Sequence, residues 1–138
     1  MAAACAGLGF APAHAQPSSS QQAPDRQQRL TSAESYVPMP TLTAGVLQRG
    51  GAQGTLVVDM GIDVQDAALR TRAQRSTPRL VDALRTALAT YANTYYRDNT
   101  APDPQRLAQL LQTAVDRSLG APGARVLLAN IIYQRRLR

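Results

Sequence analysis

Two aspartates, Asp59 and Asp63, stand four positions apart in an alternating stretch, and paired carboxylates are able to serve acid–base or metal chemistry. In a strand they share one face. Four residues of extended chain span about 13 Å, whereas oxygen ligands sit roughly 2.4 Å from a cation, so the pair cannot close on one ion, and no third ligand accompanies it. The two read instead as solvent-facing charges that guard an exposed sheet face. Ser76 and Ser118 are the hydroxyl candidates, but the only His and the only Cys, His14 and Cys5, both stand in the first fifteen residues. All fifteen basic residues are Arg, which removes Schiff-base, P-loop and general-base lysines. Gly45, Gly50, Gly51 and Gly54 form no phosphate-cradling G-x-G-x-x-G before a helix and read as turn glycines. Of the clustered tyrosines, Tyr91 and Tyr95 fall on an apolar stripe and are expected in the core, which leaves Tyr96 as the outward aromatic. No enzyme activity, metal or cofactor is expected.

What remains is charge. The formal net charge is +6; Arg70, Arg72, Arg75 and Arg79 fall within ten positions, and Arg135, Arg136 and Arg138 close the sequence. On one continuous helix Arg72, Arg75 and Arg79 would share a face, a stripe suited to an anionic membrane surface or an acidic protein partner, although Pro78 works against that alignment. The alternative is a solvated face in a chain that encodes its cations as Arg. Nucleic acid is not an expected partner, because no stacking aromatics are interleaved with these Arg.

The elements around these residues begin with a leader. Residues 1–15, MAAACAGLGFAPAHA, carry an apolar run and an Ala13-His14-Ala15 cleavage pattern, as a secretory signal does. The run is too short to span a bilayer, which takes roughly 20 residues. It lacks the positive residues of a signal's front end, so a degenerate signal, a displaced start codon and an Ala-rich tail stay open; lipidation at Cys5 fits less well. Export to the periplasm is the expectation, and cleavage after Ala15 removes both Cys5 and His14. Residues 16–35, rich in Gln, Ser and Pro, read as a flexible linker, and residues 36–138 as one folded domain.

Within that domain Leu42, Ala44 and Val46 alternate with polar or small residues, then Arg49 to Gly54 supplies a glycine-rich connection, then Leu56, Val58, Met60, Ile62 and Val64 alternate strictly. The reading is an antiparallel hairpin with one buried face. Asp66 is an expected N-cap, and Thr77-Pro78 a fresh helix start with Thr77 as the capping hydroxyl. Leu80, Leu84, Leu88, Tyr91 and Tyr95 then mark one apolar face. After the turn at 98–102, Asp103-Pro104 opens a second helix with Leu107, Leu111, Val115 and Leu119 inward, closed by Gly120. Val126 to Tyr133 reads as a buried central strand. The expected class is α+β in ββααβ order, a small sheet packed on one side by helices.

This order, with its punctuation, resembles the C-terminal periplasmic domain of the flagellar basal-body-associated FliL family over about residues 36–136. The matching features are Tyr36-Val37-Pro38 ahead of the first strand, the alternating strand from Leu56 to Val64 followed by Asp66, Thr77-Pro78-Arg79-Leu80 opening the long helix, and the closing run Val126 to Tyr133 followed by Gln134. The resemblance implies a stomatin-like, non-enzymatic domain that self-assembles near the inner membrane and associates with flagellar stator units or other basal-body components to support motility. Family members carry one N-terminal transmembrane helix, where this chain has its signal-like segment. A soluble periplasmic adaptor unrelated to flagella is the alternative.

Overall fold

The computed structural model describes residues 34–49, 51–97 and 100–136, so the leader and nearly all of the linker lie outside the described residues. A mixed α+β domain results, with four strands and three helices: β1 (Tyr36–Pro38), β2 (Leu42–Gln48), β3 (Gly51–Val64), α1 (Ala67–Arg75), α2 (Thr77–Thr90), α3 (Pro104–Leu119) and β4 (Ala124–Arg135).

Everything in the sheet hangs on β3. β1 and β2 lie end to end along one of its sides, and β4 runs antiparallel along the other. The break between β1 and β2 falls at Pro40, which has no N–H to give the ladder. The alternation expected in β3 is present, Gly61 alone being buried on the other face: Leu56, Val58, Ile62 and Val64 are fully buried and Met60 nearly so. Leu42, Ala44 and Val46 add to the same face, which α2 and α3 cover; among the described residues the opposite face of the sheet carries no helix.

The hairpin connection is shorter than the glycine run suggested. Gln48 pairs with Gly51, so two residues join the strands, and Gly51 to Gly54 belong to β3 with a bulge opposite Val46 and Leu47. Gly51 takes φ 107°, a left-handed backbone that glycine alone adopts freely. Gly54 is required for a different reason: a Cβ there would run into the Gln134 carbonyl and the Tyr133 ring.

The expected caps hold at two of the three helix starts. Asp66 Oδ2 accepts from Leu69 N at 2.8 Å, and Asp103 Oδ1 accepts from Gln105 N at 3.0 Å and Arg106 N at 3.1 Å. Gly120 closes α3 in the left-handed conformation. At α2 the expectation fails: Ser76 is the N-cap residue and makes no side-chain cap bond, while Thr77 Oγ1 donates to Gln74 O at 2.9 Å and Ser76 Oγ to Arg72 O at 2.6 Å. These hydroxyls satisfy the carbonyls that end α1, so Pro78 alone prepares the start of α2.

The closing strand is an edge, not the centre. Among the described residues β4 pairs with β3 only, and most of its residues are half-buried or exposed. Its apolar run divides between two faces: Val126, Leu128, Ile131 and Tyr133 pack against the core, whereas Ile132 is 42% exposed on the open face. A continuous apolar run looks buried on both sides; here one side meets water. Ala129 is an extra residue that bulges opposite the Asp59–Met60 step.

Candidate functional site

The carboxylates of the opening pair are separately occupied. Asp59 Oδ1 accepts from Thr41 Oγ1 at 2.7 Å, and Asp63 accepts from Gln65 Nε2 at 2.9 and 3.0 Å. The Ser35 hydroxyl, first, then Gln65 and the charge of Arg125 hold the Asp63 carboxyl below its ordinary value, against a burial effect second only to the Ser35 bond. Both residues sit on the uncovered sheet face, and among the described residues no three of His, Cys, Asp and Glu gather into a metal site.

The tyrosines are exchanged relative to expectation. After Thr90 the helix loosens into a π-helical turn, Tyr91–Tyr95, in which Tyr96 N donates to Tyr91 O at 2.9 Å across five residues. One added residue per turn rotates the following side chains. Tyr96 therefore enters the core, 4% exposed, while Tyr95 is 41% exposed with the Arg106 guanidinium 4.4 Å from its ring centre. Tyr96 packs on Tyr133 with ring centres 5.0 Å apart, and Tyr91 Oη accepts from Asp103 N at 2.7 Å. Burial raises the Tyr91 phenol above its ordinary value, with the Asp103 N–H opposing.

The arginine stripe does not form as a single row, because α1 ends at Arg75 and α2 begins two residues later. Arg70 Nη1 turns to Val64 O at 3.0 Å and ties the end of β3 to α1. Arg72 Nη1 donates to Leu119 O at 3.3 Å, at the carbonyl-rich end of α3 where a cation is favoured. Arg75 is exposed on the last turn of α1. Arg79 lines a groove of about 580 Å³ between α2 and α3, floored by Ala83, Ala87 and Ala114. Arg135 and Arg136 lie at the far end of β4, roughly 35 Å along the strand from the Leu119 side, and Arg138 lies outside the described residues.

Two cations nevertheless line one groove, and a third bonds the end of α3. Arg72 reaches Leu119 O, and Arg79 shares the groove with Arg117, which the sequence reading passed over. Its signal was available: Arg117 is the basic residue in the last turn of α3, the place that complements a helix C-terminus. Asp82 lines the same groove and offsets part of that charge. Ser118, beside Arg117, has a buried Oγ without a hydrogen-bond partner, unlike Thr86, Thr90 and Thr113, which donate to the carbonyl four residues back. This end of the groove offers guanidinium groups and a hydroxyl, chemistry able to hold an anion.

No helix among the described residues is long and apolar enough to cross a membrane. Set against family models, curated proteins and solved structures, the chain matches none.

Proposed function

We propose that this chain is a FliL-like, non-enzymatic domain of the periplasm that works by protein–protein assembly, at the flagellar basal body or its stator units and close to the inner membrane. The observation that carries this reading is the order of elements: an alternating hairpin, a proline-opened long helix, a second helix and a returning apolar strand, the order the resemblance implies. The residues within the domain support a binding role on chemical grounds, since residues 36–138 contain no Lys, His, Cys or Glu. Deletion of the gene tests the proposal: reduced swimming and altered stator occupancy are expected, and normal motility with normal flagellation would overturn the flagellar role.

A second reading is favoured by Arg79 and Arg117 sharing one groove, with Arg72 bonded to the end of α3. It makes the domain a periplasmic adaptor that docks on an anionic membrane surface or an acidic partner, apart from flagella. Salt-sensitive co-sedimentation with anionic vesicles, weakened by Arg79→Gln and Arg117→Gln, is its expected mark.

A further inference from the structure

We infer that the groove between α2 and α3 binds a single-chain amphiphile with a monoanionic head, of the fatty-acid class, its carboxylate at Arg79 and Arg117 and its tail along the alanine floor. The inference names a ligand for the groove on which the adaptor reading rests, yet it needs one lipid molecule and no bilayer, so the two fail separately.

The two helices run in opposite directions. Arg72, in the last turn of α1, reaches Leu119 O at the end of α3, and Tyr91, just after α2, meets Asp103 N at the start of α3. Arg79 and Arg117 therefore stand at the same end of the groove, which follows α2 from Arg79 to Thr90, roughly 16 Å for a helix rising about 1.5 Å per residue. A cusp between two helices is ordinarily filled by the side chains of its floor. Here Ala83 and Ala87 of α2 and Ala114 of α3 are too short to fill it, and about 580 Å³ stays open, within the range of small-molecule sites.

The walls of the slot offer a tail little that is polar. Thr86, Thr90 and Thr113 donate their hydroxyls to carbonyls of their own helices at 3.0, 2.9 and 2.9 Å, which leaves their methyl groups for a ligand, and Leu110 adds to them. A long slot with an apolar floor suits an alkyl chain better than a compact ring.

Charge selects the head. Arg70 and Arg72 commit their guanidinium groups to Val64 O and Leu119 O, whereas Arg79 and Arg117 are bound to no side chain or carbonyl among the described residues. Ser118, at the same end, adds a hydroxyl whose Oγ is buried without a partner. Asp82 also lines the groove, so the lining carries a net charge of +1, which one carboxylate neutralises and a dianion would overshoot. The two oxygens of a carboxylate have acceptor sites enough for both guanidinium groups and the hydroxyl. A cationic amphiphile would bring a like charge to both Arg.

Titration of the full chain with dodecanoate below its micelle concentration, followed by nuclear magnetic resonance, tests this. The amide signals of Ala83, Ala87, Ala114 and Ser118 should shift together with one dissociation constant, while acetate and dodecyltrimethylammonium shift them little. Shortening the chain should weaken binding about twofold per methylene, roughly half the effect of full burial, since the slot is open along one side. Arg79→Gln and Arg117→Gln should each weaken binding by up to about fivefold, the range of an exposed charge pair, and added salt should act in the same sense. Asp82→Asn should strengthen it, and Ala87→Leu should fill the slot and abolish it. The chain-length series and the shift map decide even where Ala87→Leu fails to fold. No binding of dodecanoate, equal binding of the cationic amphiphile, no dependence on chain length, or shifts gathered instead at the exposed Leu47 and Ile132 would overturn the inference. Binding of anionic vesicles or of an acidic helical peptide by a protein that ignores monomeric dodecanoate would overturn it and leave the adaptor reading standing; the reverse result would remove the adaptor reading alone.

Discussion

Tyr91 and Tyr96 hold their rings side by side in the core, with centres 6.4 Å apart, because the backbone between them closes a bond over five residues instead of four. Tyr95, which helical spacing assigns to the core, is left outside with Arg106. Tyr96→Ala is expected to destabilise the domain by about 3 kcal/mol or more, as large aromatic deletions do. Tyr95→Ala should cost no more than about 1 kcal/mol, the range of an exposed cation–π contact. Urea denaturation of the two variants reads the difference, and equal losses would contradict the rotated register.

Tyr36 lies over Gly61 on the sheet face away from the helices, so that a Cβ on Gly61 would enter its ring. Gly61→Ala should therefore lower stability by about 1 to 3 kcal/mol, the cost of overpacking. Gly45→Ala meets nothing within 4 Å and should be neutral or mildly stabilising. Thermal unfolding of both variants, together with Gly61→Ala in a Tyr36→Ala background, checks the contact: the double variant should show little further loss from the glycine change.

Gln112 replaces a missing strand at the start of β4. Gln112→Ala removes both of its bonds to β4 and leaves the Ala124 carbonyl and the Val126 amide to water, at an expected cost of about 1 to 3 kcal/mol. Gln112→Glu keeps an acceptor for Val126 N but loses the donor to Ala124 O and places a second carboxylate near Asp116, which Gln112 now bonds at 2.9 Å. The glutamate variant should recover part of its loss as the pH falls and the carboxyl protonates. Faster exchange at Val126 in the alanine variant is the local readout.

Two groups make stability depend on pH, one in acid and one in base. Asp63 is held below its ordinary value of 3.8, so its stabilisation is present above that pH and disappears as acid protonates the folded carboxylate. The stability gap between wild type and Asp63→Asn should close at low pH. Tyr91 is raised above its ordinary value of 10.0, so its contribution is complete below pH 10 and declines at higher pH as the unfolded phenol ionises first. Tyr91→Phe should be less stable at neutral pH, through loss of the Asp103 bond, and should decline less steeply above pH 10.

The local chemistry of the chain made much of this architecture legible. Strict alternation marked β3, Asp66 and Asp103 announced their helices, and Gly120 ended α3, because each is a short-range effect with a residue-type signature. The rest depended on partners distant in sequence. Nothing near Tyr36 signals that it pairs with Asp63 as a first strand, and nothing in Val126 to Tyr133 tells an edge from a centre. The π-helical turn gave no warning in the spacing of Tyr91 and Tyr95. For the arginines, spacing along a line of sequence was the wrong measure. The break at Ser76 sends Arg72 to the end of α3 and Arg79 into the groove, where Arg117 meets it from another helix.

That β3 is, among the described residues, the one strand paired with β1, β2 and β4 also has a kinetic meaning. One side of β3 is zipped by a two-residue hairpin and forms on a short loop. The other side waits until α1, α2 and α3 have brought β4 back, a closure across most of the domain. Folding is expected to reach its barrier with the hairpin formed and β4 still loose, so substitutions at Val126 or Ile131 should speed unfolding and leave the refolding rate almost unchanged, while those at Val58 should slow refolding. Until that last strand arrives, one flank of the central strand is open to any extended chain nearby, which makes crowded refolding the condition under which this domain is expected to aggregate.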